Sequence, residues 1–329
     1  MQKESHAEGD RPVDDGRVVV VLGTGGTIAG SAVSAADNVG YLAAQTGISE
    51  LLAALREPAG RVESEQVAQV DSKDMDFALW CRLVERVVHH LRRPEVAGIV
   101  ITHGTDTLEE TAYFLHRTVA PAKPVVLTGA MRPATSLQAD GPQNLADAIA
   151  VARTPAARGL LVAMAGSVHR GAEVRKVHGY RLDAFSSGDA GPLGRVEEGR
   201  LQQFREWPAE PALGIDVSAI DPAGWPRVAI VSACAGAGAW MVETLRSAGV
   251  RGIVVAATGN GTLHYALEAS LLTAQAAGIA VLRSTRCHEG RIVPGGRRDG
   301  DRLPSAGGLT PVQARIELTL RLLAGKGTA

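Results

Sequence analysis

Short, continuous runs of aliphatic and β-branched residues recur along the chain. Each ends in Gly or Thr and leads into a longer segment with helix-like spacing. The runs are RVVVVLGTGG from Arg17, GIVITHGTD from Gly98, PVVLTGAMRP from Pro124, GLLVAMAGS from Gly159, RVAIVSACAG from Arg227, GIVVAATGNG from Gly252 and GIAVLRST from Gly278. Unbroken apolar runs of this length suit parallel strands covered on both faces, with the helical spacers as right-handed crossovers. The predicted fold class is α/β.

Between Glu197 and Pro226 the pattern lapses into a proline-rich stretch without a period. The expected organisation is therefore a large N-terminal α/β domain over residues 17–205, with a mainly parallel sheet flanked by helices, a connection over 206–226, and a smaller α/β domain over 227–329. Residues 1–16 read as a polar, disordered tail. A length of 329 residues accommodates two such cores.

Charge and cysteine usage narrow the partners. Lys and Arg number 34 against 35 Asp and Glu, so no global field favours nucleic acid or an anionic membrane. Cys81, Cys234 and Cys287 stand far apart, without the spacing of a disulfide framework or a zinc ribbon, and read as structural thiols. No HExxH or comparable histidine spacing calls for a metal, and His103 reads as an ordinary strand-end residue. The N-terminus lacks the apolar core of a secretory signal and no apolar run is long enough to span a bilayer. The expectation is a soluble, cytoplasmic protein acting on a small molecule.

In open parallel sheets, ligands bind beyond the carboxyl ends of the strands. The first such end carries GTGGTIAG, Gly23 to Gly30. A dinucleotide fingerprint fails there, because Ile28 stands where the third small residue belongs, and a phosphate loop fails because Ser31 replaces its lysine. The loop presents Thr24 and Thr27, either as turn hydroxyls or as nucleophiles.

The second end carries ITHGTDTLEE, Ile101 to Glu110. Thr107 and Glu110 have the spacing of a capping box, which predicts a helix from about Thr107 and puts Thr105 and Asp106 in the turn before it. Unpaired backbone N–H groups there would stabilise an anion or oxyanion, although an ordinary cap cluster has the same composition. Ser72 follows a short extended run in VDSKDMD, and Lys176 lies in the polar segment GAEVRKVHG. A threonine hydroxyl needs a neighbouring base to act as a nucleophile; a desolvated, neutral lysine serves, but a solvated surface lysine reads the same.

Taken in order, TGGTIAG (Thr24–Gly30), HGTDTLEETAYFL (His103–Leu115), GAMRPATSLQADGPQNL (Gly129–Leu145), GPLG (Gly191–Gly194) and GNGT (Gly259–Thr262) resemble the bacterial L-asparaginase and glutaminase-asparaginase family, over nearly all of the chain from Val18 onward. The resemblance implies an amidohydrolase that converts asparagine to aspartate and ammonia through an acyl-threonine, with no cofactor and no metal. By motif position it makes Thr27 the nucleophile and Tyr41 its activating partner. Thr105, Asp106 and Lys176 match a relay in which Lys176 takes a proton from Thr105 or from the attacking water. Asp106 would also hold the α-ammonium and Ser72 the α-carboxylate, with Gly26 and Ala130 completing the substrate contacts. The relay demands that burial lower the pKa of Lys176 against the pull of Asp106, or else the lysine serves only electrostatically. A homo-oligomer, dimer or tetramer, is implied, with sites between the large domain of one subunit and the small domain of its neighbour.

Three positions depart from the family pattern. Lys73 puts a cation beside Ser72, where relatives carry glutamine or an acid. Thr262 replaces a frequent asparagine, and Asp299 or Asp301 is left to stand in for an acidic residue lent by a neighbouring subunit. Alternatives are a glutaminase-asparaginase of broad specificity and a non-catalytic binding protein for acidic amino acids. An amidotransferase subunit is disfavoured because its extra N-terminal domain is lacking, and a nicotinamide-dependent oxidoreductase by the broken glycine fingerprint.

Overall fold

The computed structural model describes residues 16–55, 60–295 and 302–326. Asp299, Asp301 and all of the predicted tail but Gly16 lie outside the described residues. The chain separates into two compact units that divide between Glu210 and Pro211.

In chain order the first unit contains β1 (Val18–Gly25), α1 (Ile48–Ala53), β2 (Val62–Val70), α2 (Phe77–Leu91), β3 (Val96–Thr102), α3 (Leu108–Thr118), β4 (Pro124–Thr128) and α4 (Gly141–Arg153). It continues with β5 (Gly159–Met164), β6 (Ser167–Arg170), β7 (Arg175–Lys176), β8 (Phe185–Ser186), β9 (Gly194–Glu197) and β10 (Arg200–Gln203). Among the described residues, eight of these strands form one sheet in the order β10-β9-β6-β5-β4-β3-β1-β2. The strands β1 to β5 pair in parallel, and β6, β9 and β10 extend the edge antiparallel. Two tight hairpins make that extension. Ala165 and Gly166, then Glu198 and Gly199, take the positive φ values that two-residue turns between twisted strands require.

Strands β1, β3, β4 and β5 are buried along their whole length, as their unbroken apolar runs predict. Helix α4 covers the face carrying Val19, Val21, Val100, Val126 and Leu161. Helices α2 and α3 pack against β3 and β5, with Trp80 stacked on Phe114 at 4.7 Å between ring centroids.

Strand β2 is absent from the apolar runs because it is a polar edge: Glu65 takes Arg86 in a two-bond ion pair at 2.6 and 3.0 Å, and Glu63 takes Arg93 at 2.8 and 3.2 Å. Charged edge positions of this kind also discourage pairing with another sheet.

The order 2-1-3-4-5 of the parallel strands reverses at β1 and β3, since the chain leaves β1 to one side and returns on the other. A crevice opens outside the carboxyl ends of strands at such a reversal.

The second unit is a three-stranded parallel sheet, β11 (Val228–Ser232), β12 (Gly252–Ala257) and β13 (Ala280–Thr285), with α5 (Trp240–Ser247), α6 (Tyr265–Ala276) and α7 (Pro311–Leu323). Helix α7 packs on Val228, Val254 and Leu282, while α5 and α6 cover Val231, Ile253, Val255 and Val281. A capping box between Thr310 and Gln313 starts α7. No helix among the described residues is long and apolar enough to cross a membrane.

Candidate active site

The carboxyl ends of β1 and β3 touch. Gly25 and Gly26 have φ values of 102° and 82°, and a Cβ on Gly26 would overlap the backbone of Gly104. Glycine is therefore required at Gly26 on two counts, conformation and space. A Cβ on Gly104 would in turn lie 2.5 Å from the hydroxyl of Ser72. Thr24 Oγ1 donates to the Thr102 carbonyl at 2.8 Å and ties the two strand ends together. Thr27, one residue past this contact on β1, and Thr105, one residue past it on β3, are thereby brought to one place, both buried.

Thr27 Oγ1 lies 2.7 Å from the Tyr41 hydroxyl. Tyr41 belongs to a loop folded back on the end of β1: Ser31 and Leu42 exchange both backbone hydrogen bonds at 2.9 Å, and Ala44 N–H donates to the Gly26 carbonyl at 3.0 Å. Gly30 leaves room for the tyrosine ring, since a Cβ there would lie 2.9 Å from Tyr41 Cδ2.

Lys176 arrives from β7. Its Nζ donates to Thr105 Oγ1 at 2.9 Å and to Asp106 Oδ1 at 2.7 Å, so one ammonium group joins the hydroxyl and the carboxylate. The lysine side chain is only 16% exposed, against 61% for Asp106. Ala130, fully buried, follows Gly129, where a Cβ would meet the His103 carbonyl and the Thr105 methyl. The Gly129–Arg132 segment is fixed by Asp140, which accepts from the N–H groups of Met131 and Arg132, and by Asn144, whose amide donates to the Gly129 carbonyl at 2.9 Å.

The expected capping box does not form. Thr107 is the N-cap of α3, but its hydroxyl donates to the Ser72 carbonyl at 2.8 Å and makes no capping bond to the helix. The competing acceptor is tertiary, and it latches the Ser72 turn to the β3–α3 turn.

His103 does more than end a strand. The Gly104 carbonyl, 2.7 Å from Nδ1, can only accept, so Nδ1 carries the proton and Nε2 accepts from the Thr111 hydroxyl at 2.9 Å. Thr111 accepts in turn from Trp80 Nε1 at 2.9 Å. Complete burial pushes the imidazole down to about 4, and it is neutral at neutral pH. With the peptide trans and its carbonyl turned to His103, the Thr105 N–H points away from that ring. Among the described residues, the N–H groups of Thr105 and Asp106 find no acceptor. Such donors are suited to an oxyanion.

Lys73 does not confront the cleft as an unpaired cation. Its ammonium binds Asp71 and Asp74, each at 2.9 Å, with the side chain 62% exposed. These two carboxylates, Asp71 first, raise its pKa further. Thr262 lies in the second unit, where its hydroxyl meets that of Thr258 at 2.9 Å and closes the turn after β12. Cys81 is buried, and Cys234 and Cys287 are exposed free thiols, which departs from the structural reading of the latter two. Among the described residues no cluster of three or more His, Cys, Asp or Glu is arranged to hold a metal ion.

One neighbour of the cleft escaped sequence reasoning. Glu109 Oε1 accepts from the backbone N–H of Lys176 at 3.3 Å, and burial pushes its carboxyl up to about 7. The available signal was its place in the first turn of α3, three residues after Asp106.

Comparison with known proteins gives a consistent result. The family description "Asparaginase, N-terminal" matches residues 18–209, and "Glutaminase/Asparaginase C-terminal domain" matches residues 227–329. L-asparaginase 2 of Escherichia coli (strain K12) is 38% identical over 313 residues, covering 92% of this chain and 88% of that protein. Glutaminase-asparaginase of Pseudomonas fluorescens biotype A is 38% identical over 279 residues, covering 84% and 77%. Among solved structures, the probable cytoplasmic L-asparaginase from Campylobacter jejuni superposes with a TM-score of 0.87 at 35% identity, covering 93% of this chain and 95% of that one.

Proposed function

The chain belongs to the asparaginase family, matched in both of its domains, and on that premise we propose that it hydrolyses the side-chain amide of L-asparagine through an acyl-threonine intermediate. The observation that carries this reading is the double contact of Lys176 Nζ with Thr105 and Asp106, set against the Thr27–Tyr41 hydroxyl pair across the Gly26–Gly104 contact.

In this reading Thr27 Oγ1 attacks the amide carbon as its proton passes to the Tyr41 oxygen and the Tyr41 hydroxyl proton passes to the amide nitrogen, which makes Tyr41 the local acid–base partner. The tetrahedral oxygen is held by backbone donors of the Thr105 turn and the Ala130 segment. Ammonia leaves with a proton, and an acyl-threonine remains. Water, positioned by Thr105, then attacks the ester as Lys176 relays its proton toward the departing Thr27 oxygen, and aspartate is released. Asp106 receives the substrate ammonium and Ser72 its α-carboxylate, so the two charged ends fix the amide over Thr27. The Asp71 and Asp74 pairs remove the conflict of Lys73 with that ammonium. For the chain as a whole we propose residues 17–205 as the catalytic domain, 206–226 as its connection, 227–329 as the smaller domain, and a homo-oligomer as the working assembly.

The test is ammonia release by purified protein from L-asparagine and L-glutamine, without added cofactor. Hydroxylamine should trap the aspartyl ester as a hydroxamate, and Thr27→Ala should abolish both signals. Asparagine that binds without ammonia release would overturn the catalytic reading in favour of a binding protein. Equal turnover of the two amides would make it a glutaminase-asparaginase.

A further inference from the structure

Lys176 reaches the cleft on a strand of two residues, with Arg175 opposite Ser186 and Lys176 opposite Phe185. A ladder that short fixes a side chain poorly on its own. Three side-chain ties steady the hairpin. The Arg132 guanidinium lies 4.1 Å from the centre of the Tyr180 ring and donates to the Tyr180 carbonyl at 2.8 Å. His169 Nδ1 lies 2.8 Å from the Ser187 hydroxyl. These two hold the loop tip and the far end. The third, from Glu109 Oε1, acts on the backbone of Lys176 itself.

Asp106 lies in the turn just before α3 and Glu109 in the first turn of that helix, three residues on. One helix start thus grips the same lysine twice, Asp106 at Nζ and Glu109 at the backbone N–H. Thr105 immediately precedes Asp106. The separation of Nζ from the Thr105 hydroxyl is therefore set inside one short circuit of covalent and hydrogen bonds, which Glu109 closes.

We infer that Glu109 is a positioning residue for the proposed reaction: its carboxyl oxygen sets where Lys176 stands relative to Thr105, as an acceptor and not as a charge. The inference rests on the Thr105–Lys176–Asp106 reading above. Burial holds the carboxyl near neutrality's edge, and Glu110 on its own helix adds repulsion, against the pull of Arg175 and Lys176 on β7. A carboxylic acid and a carboxylate both keep an oxygen that accepts from an N–H, so the tie persists in either state.

Glu109→Ala and Glu109→Gln distinguish the acceptor from the charge. In Glu109→Ala, kcat for asparagine should fall about 10- to 100-fold, the scale of a misplaced catalytic group, with KM within about twofold because Asp106 and Ser72 remain. Glu109→Gln should restore kcat to within about threefold of the wild type, since its amide oxygen accepts the same N–H. A crystal structure of Glu109→Ala should show the Lys176 Nζ to Thr105 Oγ1 distance of 2.9 Å opened beyond hydrogen-bond range. Wild-type kcat in Glu109→Ala, an unchanged distance, or a folded Glu109→Gln as slow as the alanine variant would each overturn the inference. An inactive wild type would instead sink the proposed function, and the crystallographic distance would still decide the role of Glu109.

Discussion

Lys176→Met separates chemistry from stability at this site. Methionine keeps an unbranched chain of similar length and removes the charge and its two hydrogen bonds. The partner Asp106 is 61% exposed, so the lost ion pair is largely screened and worth at most about 1 kcal/mol. The hydrogen bond to the buried Thr105 hydroxyl adds about 1 kcal/mol. A total of about 2 kcal/mol lowers the melting temperature of a unit this size by roughly 4–8 °C, and the variant should remain folded at room temperature. A base acting in the rate-limiting proton transfer contributes about 10²- to 10⁴-fold. Ammonia release at saturating asparagine should therefore fall at least about 100-fold, while calorimetry finds a cooperative transition only slightly displaced. Residual kcat above a tenth of the wild type, in a folded variant, would refute the relay and reduce Lys176 to an electrostatic role.

Tyr41→Phe removes the hydroxyl 2.7 Å from Thr27 Oγ1 and should slow acylation about 100-fold, seen as loss of hydroxylamine-trapped ester with little change in melting temperature. Gly26→Ala places a methyl on the Gly104 backbone at a φ of 82° and should cost about 2–4 kcal/mol in chemical denaturation; unchanged stability would contradict the contact between the two strand ends. Acid should weaken the fold through the buried histidines. Burial depresses His103 and His169 from 6.5 to about 4, so the unfolded chain binds these protons first. The stability each supplies is complete above pH 6.5 and lost as pH falls through 4, up to about 3 kcal/mol apiece. Glu109 has the opposite sign: its carboxyl is raised from 4.5 to about 7, so its contribution is complete below pH 4.5 and withdrawn as pH rises through 7. His169→Gln should lose less stability between pH 7 and pH 4 than the wild type, and equal losses would refute this assignment.

The sheet was legible where burial is two-sided. Apolar runs such as Val18–Leu22 and Ile99–Ile101 admit little but central parallel strands, and the structure puts them there with every residue covered. The edge was not legible by that signal, because Glu63 and Glu65 of β2 meet arginines and not a core. At the cleft, spacing could bring Thr105 and Asp106 to one turn, since a strand end and a helix start bracket them. It could not bring Lys176, some seventy residues away on a two-residue strand, nor Tyr41 from its loop; motif order alone suggested those two. The Thr107 capping box misled because local pattern is blind to a tertiary acceptor such as the Ser72 carbonyl.

The arrangement should make the proposed chemistry separable from the fold. The rigid part of the site is backbone: Gly26 against Gly104, with Thr24 tying one strand end to the other and His103 fixing the peptide before Thr105. These contacts admit no added atom, and their loss reaches the sheet. The side chains assigned to the proposed reaction are mounted on that frame through loops, a helix start and a short hairpin, where few core contacts depend on them. Substitutions at Thr27, Tyr41 and Lys176 should therefore act on turnover, whereas substitutions at the glycines beneath them should act on turnover and stability together.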